Sequence, residues 1–111
     1  MAKSPTDLTV TLSPQARSML DNLAGETPDQ KIAHLLLRDI RRKLEACEDE
    51  RLALELKYGM EYAEFKAHLD QGALGDPFDY ELEQDTIRWE DLLEEKRHWL
   101  QQLRLAREMI V

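Results

Sequence analysis

The strongest constraint on this chain is the stretch from Pro28 to Tyr58, thirty-one residues without an internal proline or glycine, preceded by Thr27 and followed by Gly59. Threonine is a favourable N-cap, proline suits the first helical turn, and glycine ends helices by adopting left-handed backbone angles. The pattern predicts one long helix. Its first half carries Ile32, Ala33, Leu35, Leu36, Leu37, Ile40 and Leu44, an apolar arc too wide for a surface helix with a single neighbour. That half is expected to be core. The second half thins to the series Leu37, Ile40, Leu44, Cys47, Arg51, Leu54 and Tyr58, spaced alternately three and four residues apart, a heptad seam interrupted at Arg51. It reads as a partner-facing rod.

A chain of 111 residues with 34% charged side chains supports one modest domain, or a small domain plus an arm, and leaves little for a large private core. Oligomerisation is expected. The single cysteine, Cys47, cannot form an intrachain disulfide, and Met1 to Val10 carries no apolar signal segment, so a reduced, cytoplasmic protein is expected. No run of about eighteen apolar residues is present, and no membrane partner is expected. The net charge of −8 divides unevenly: residues 1–47 hold seven bases and six acids, whereas 48–111 hold eight and seventeen. Its densest part, Asp76 to Glu95, has nine acids opposed only by Arg88. Such asymmetry points to two different partners.

Leu8-Thr9-Val10-Thr11-Leu12 alternates apolar and polar residues with period two, the mark of a short strand with one buried face. A lone strand leaves its backbone donors and acceptors unpaired. The simplest pairing partner is the same strand of another copy, which makes a homodimer. Ser13-Pro14 then starts a helix of about ten residues, with Ala16, Met19, Leu20 and Leu23 on its inward stripe, until Gly25 ends it.

The run from Leu8 to Pro14, the Met19/Leu20/Leu23 stripe, Gly25, and Thr27 opening a helix through Ile32 and Leu36 resemble the ribbon-helix-helix family. The resemblance covers about the first 47 residues. It implies an intertwined dimer whose paired strands lie in the DNA major groove, and many members are antitoxins. By position, Asp7, Thr9 and Thr11 would face the groove, with Lys3 the nearby base, and the helix start at Thr27 and Pro28 would face a phosphate. Where DNA-binding members usually place lysine, arginine or asparagine, this strand offers two threonines and an acid. Arg38, Arg41, Arg42 and Lys43 either compensate with phosphate contacts or form the solvent face of the long helix.

Downstream, Tyr58-Gly59-Met60 breaks the long helix, and Glu61 to Asp70 forms a short one with Tyr62, Phe65 and Leu69 on one stripe. The turn-rich stretch from Gly72 to Pro77 follows. Phe78-Asp79-Tyr80-Glu81-Leu82-Glu83 alternates apolar and acidic residues and reads as an extended segment laid on a surface. The last helix, about Asp85 to Ile110, places Trp89, Leu92, Trp99, Leu103, Ala106 and Ile110 on one seam.

Tyr58-Gly59-Met60, Phe65, Leu69, Gly72, Leu74-Gly75-Asp76 and Trp89-Glu90 look similar to a C-terminal region of small bacterial and archaeal antitoxins encoded beside RelE-like or TumE-type RNase toxins. The resemblance implies that the N-terminal part dimerises and represses its own operon through operator DNA, while the C-terminal part covers a cognate basic protein toxin. The acids of the segment suit a basic RNase cleft, and Leu74, Phe78, Tyr80, Leu82, Trp89, Leu92 and Trp99 are the candidate partner-binding residues. An alternative stays open. The same side chains could fold back on the long helix, with Trp99, Leu100 and Leu103 against Leu52, Leu54 and Leu56.

Catalytic constellations are poor. His34 lies in an apolar arc and reads as a packed histidine. Glu64/His68 and Glu95/His98 give only isolated fragments of metal-binding spacing. Neither a phosphate loop nor a nucleophile elbow is present. The expectation is therefore a mainly α, non-enzymatic protein without metal or cofactor, a ribbon-helix-helix-like dimer with a short N-terminal strand (residues 1–47) and a helical, acidic partner-binding arm (48–111). DNA binding is expected at Lys3, Thr9, Thr11, Thr27 and Arg38. The competing expectation is a helical coiled-coil adaptor that binds another protein and no nucleic acid.

Overall fold

Each helix of the protein starts at a side chain able to replace a missing backbone partner or at a sharp turn. The computed structural model of the chain describes residues 11–110, with α1 (Pro14–Leu20), α2 (Pro28–Tyr58), α3 (Tyr62–Asp70) and α4 (Tyr80–Glu108). The Ser13 hydroxyl accepts from the Ala16 N–H at 3.1 Å and the Thr27 hydroxyl from the Gln30 N–H at 3.2 Å. Gln30 returns its own oxygen to the Glu26 N–H at 2.8 Å, so both sides of the α2 start are tied. At the other end Gly59, with φ 70°, caps α2 by donating to the Glu55 carbonyl at 2.7 Å.

The mainly helical expectation holds. The strand expected over Leu8 to Leu12 lies for the most part outside the described residues, and its last two, Thr11 and Leu12, have no regular structure. Among the described residues there is no strand. Two other expectations are revised. α1 is seven residues long, because the chain turns after Leu20 and Gly25 presses against the start of α2. A Cβ on Gly25 would meet the Lys31 nitrogen at 3.0 Å. The Phe78 to Glu83 alternation is not extended either: from Tyr80 it is helix. The Asp79 carboxylate caps α4 through the Leu82 N–H at 3.1 Å, and Glu81 and Glu83 lie in the first turn, where the helix dipole favours acids.

α2 and α4 pack antiparallel. Leu37 and Ile40, early in α2, meet Ala106 late in α4, with Leu44, Trp99, Leu103 and Ile110 around them. At the opposite end Leu54 and Tyr58 join Leu82, Trp89 and Leu93, and α3 closes that end with Phe65, Tyr62 and Leu69. The heptad seam of α2 is thus filled by the chain's own α4, and α2 runs without a break through Cys47 and Glu48. The interruption at Arg51 falls between the two clusters. There the guanidinium bonds Glu48 at 2.5 Å and also Glu55, while Lys96 of α4 lies 2.8 Å from Glu48. Hydrogen bonds from Arg51 and Lys96 hold the Glu48 carboxyl well down, at about 2.

Two more bridges set the helix register. Arg88 grips Glu50 with bonds of 2.7 and 2.8 Å and also reaches Glu95 at 3.0 Å. Lys57 donates to Glu81 and Asp85, both at 2.5 Å, and the Tyr58 hydroxyl donates to Asp85 at 2.5 Å. Burial pushes the Asp85 carboxyl up, but Lys57 and Tyr58 outweigh it and the carboxyl lies below its usual range. Burial, with Asp85 adding to it, raises the Tyr58 hydroxyl to about 12. The Cys47 thiol lies 3.5 Å from Glu95 and is pushed up by burial and by that carboxylate, which makes it a poor nucleophile.

Candidate partner-binding face

The residues expected to contact a partner divide by burial. Trp89 is fully buried, with ring centroids 4.8 Å from Phe65, 5.7 Å from Tyr62 and 6.1 Å from Tyr58. Leu82 belongs to the same cluster and Leu92 is also buried. For these three the expectation of a partner contact is corrected: they are buried in the chain's own core, where α3 supplies Phe65 against Leu82 and Trp89. Leu74 is half-buried against that cluster. Trp99 packs on the Leu37/Ile40 cluster, with the Lys43 ammonium 5.1 Å from its ring centroid and His98 against its edge. It is half-buried against the hairpin core, so it too is held internally.

Phe78 and Tyr80 behave differently. They are 85% and 75% exposed. The Phe78 N–H is fixed by the Asp76 carboxylate at 2.9 Å, so its ring projects from a defined turn. Tyr80 begins α4, and Ile87, two helical turns on, shares its outer face and is 46% exposed. The register of Trp89 points the opposite way, toward α2 and α3.

The acids show the same division. Of the nine in Asp76 to Glu95, seven have partners within the chain. Asp76 and Asp79 hold backbone N–H groups, Glu81 and Asp85 hold Lys57, Glu90 accepts from Tyr62, Glu94 pairs with Arg97, and Glu95 with Arg88. The Glu83 and Asp91 carboxylates have no ion pair or hydrogen bond among the described residues, and they lie three and eleven residues after Tyr80, on the same outer face. Exposed apolar side chains and uncommitted carboxylates therefore coincide on one strip: Phe78, Tyr80, Glu83, Ile87 and Asp91. Glu83, Ile87 and Asp91 were not singled out from the sequence, although their spacing of three, seven and eleven from Tyr80, off the Trp89 seam, carries the signal. No protein-family model, curated protein or solved structure matches the chain.

Of the expected DNA-contacting residues, Thr11 lies by the start of α2 that Thr27 caps, and Arg38 stands apart from them. Lys3 and Thr9 lie outside the described residues. Thr11 is exposed beside the α1–α2 turn, and the Thr27 hydroxyl is engaged in capping α2. Arg38 is exposed on the outer side of α2, three turns beyond Thr27, about 16 Å along the helix. Of its basic neighbours, Arg42 is paired with Asp39 at 2.7 Å and Lys43 sits over Trp99. No helix among the described residues is long and apolar enough to cross a membrane.

Proposed function

We propose that the chain is a non-enzymatic binding protein of the antitoxin kind, whose outer α4 face captures a basic protein. In this reading the partner is a cognate RNase toxin. Copies pair through the N-terminal residues, and that unit contacts operator DNA. The observation that carries the reading is the coincidence of Phe78, Tyr80 and Ile87 with the uncommitted Glu83 and Asp91. Apolar anchors ringed by acids answer a cleft built to grip a phosphodiester backbone, because carboxylates steer toward its bases while aromatic rings displace water from its pockets. A rigid two-helix scaffold adds to this by presenting the strip without an ordering cost.

The test is co-purification with the product of the adjacent gene. The expected result is a salt-sensitive complex with a basic protein, weakened at least about tenfold by the Phe78→Ser/Tyr80→Ser pair. An unweakened complex would remove this face from the reading. The adaptor alternative keeps one specific support: Arg42 and Lys43 are already engaged within the chain, which leaves fewer bases for phosphates. A gel shift on the promoter at low salt separates the two, since nucleic-acid binding through bases strengthens steeply as salt falls.

A further inference from the structure

The groove that seats α3 continues past it. Leu36 precedes Leu54 by eighteen residues, five full turns, and so lies on the same side of α2; Leu100 follows Leu93 by seven, two turns, along α4. Leu54 and Leu93 pack with the α3 cluster, whereas Leu36 and Leu100 are 43% and 47% exposed. Among the described residues, no helix covers this half of the groove. Leu100, Leu103, Arg104, Arg107 and Glu108 line its α4 side.

We propose that this open half-groove receives the Phe78–Asp91 face of a second copy of the chain. Charge complementarity selects that occupant: the groove offers Arg104 and Arg107 against one acid, Glu108, while the face offers the Glu83 and Asp91 carboxylates, without partners among the described residues. Dimensions agree as well. Tyr80 and Ile87 are two turns apart, as are Leu100 and Arg107, about 10.5 Å in each case. Within one copy the two surfaces cannot meet, because Tyr80 and Leu100 are separated by about 30 Å of rigid helix.

The contact joins two different surfaces, so each added copy leaves one face and one groove free. Association of this kind continues with concentration instead of stopping at a pair. The face is the one proposed above to capture a basic protein, so such a partner would terminate the assembly. The test uses the free protein alone, which keeps the two readings separable.

Two variants decide it. Phe78→Ser/Tyr80→Ser removes the face, and Arg104→Glu/Arg107→Glu reverses the groove; all four side chains are exposed, and circular dichroism checks that helix content is kept. In sedimentation at low salt the average mass of the parent should rise with concentration, and the rise should shrink as salt is added. Each variant alone should lose that rise. An equimolar mixture should regain one pairing, through the intact face of one and the intact groove of the other, at least about tenfold tighter than either variant with itself. The pairing through the N-terminal residues proposed above would be common to every sample and cancels in the comparison of parent, variants and mixture. A parent whose mass does not rise, a variant that associates like the parent, or a mixture that fails to pair would each overturn the proposal.

Discussion

The two ends of the hairpin solve the same problem differently. At the α3 end, Phe65 and Trp89 are fully buried and four aromatic rings pack on one another, because a third helix covers the α2–α4 groove. At the α1 end, no third helix among the described residues covers the groove. α1 buries none of its residues, Met19 is 65% exposed, and the core rests on small or slender side chains: Ala33, Leu37, Ile40 and Ala106. The difference lies in what each end leaves for other molecules. A closed end can present a rigid outer face, whereas an open end keeps apolar surface that another chain can cover.

The sharpest way to break this contrast is Trp89→Ala. Large-to-small changes at a fully buried tryptophan cost about 3–5 kcal/mol, a large share of the stability of a chain this size. Thermal or urea unfolding of the variant should show that loss, and near-ultraviolet dichroism should lose the aromatic signal. The indole N–H is buried without a hydrogen-bond partner, so part of the packing gain already offsets its desolvation. A loss under about 1 kcal/mol would mean that the α3 end is not the closed core described here.

Gly25→Ala probes the other end. Gly25 has φ 124°, outside the range L-residues favour, and the new Cβ would meet backbone atoms of Gln30 and Lys31 at 3.0–3.1 Å. A loss of about 1–3 kcal/mol is expected, with the damage confined to α1 and the first turn of α2. Hydrogen exchange should show faster opening at Leu23 and Lys31, whose carbonyl and ammonium are bonded at 2.8 Å, and unchanged protection at Phe65 and Trp89.

Between the ends lies the polar waist, and Glu48→Gln tests its sign. The Glu48 carboxyl is held at about 2 by Arg51 and Lys96, below its ordinary 4.5. A carboxyl depressed on folding adds stability that is fully present above its unfolded value and is lost as pH falls through its folded one. The parent should therefore weaken between about pH 4.5 and pH 2, and Glu48→Gln should flatten that part of the profile. At neutral pH the variant should cost less than about 1 kcal/mol, because the pair is partly solvated.

How much of this could be read from the sequence depends on whether the signal was local. The bounds of α2 follow from Thr27, Pro28 and Gly59, since caps act within a few residues. Its seam was legible too, but a heptad pattern does not say whether its partner is another copy or the chain's own last helix. The Phe78 to Glu83 alternation misled because period two also fits a helix start whose acids answer the dipole. Trp89 was misplaced for a related reason: an aromatic residue in an acidic helix looks the same as an anchor or as core until the position of α3 is known. The charge map changed for a tertiary reason as well. The antiparallel fold brings Arg104 and Arg107 to the end of α2 that carries Arg38 to Lys43, so these bases gather by end of the molecule and not by half of the chain.

The smallest expected effect gives the finest test. Tyr80→Ser lies nine residues from Trp89 in the same helix, yet its side chain is 75% exposed and its hydroxyl has no hydrogen bond among the described residues. Serine is tolerated in the first turn, and the Asp79 cap that starts α4 is untouched. Unfolding free energy should stay within about 0.5 kcal/mol of the parent, while capture of the proposed basic partner should weaken. The ratio of the two effects is the informative quantity, because core residues lose stability and binding together and a surface anchor loses binding alone. If Tyr80→Ser destabilises the free protein as much as Trp89→Ala does, the outer strip of α4 is covered within the folded chain, and the division between a closed core and a presented face at this end is wrong.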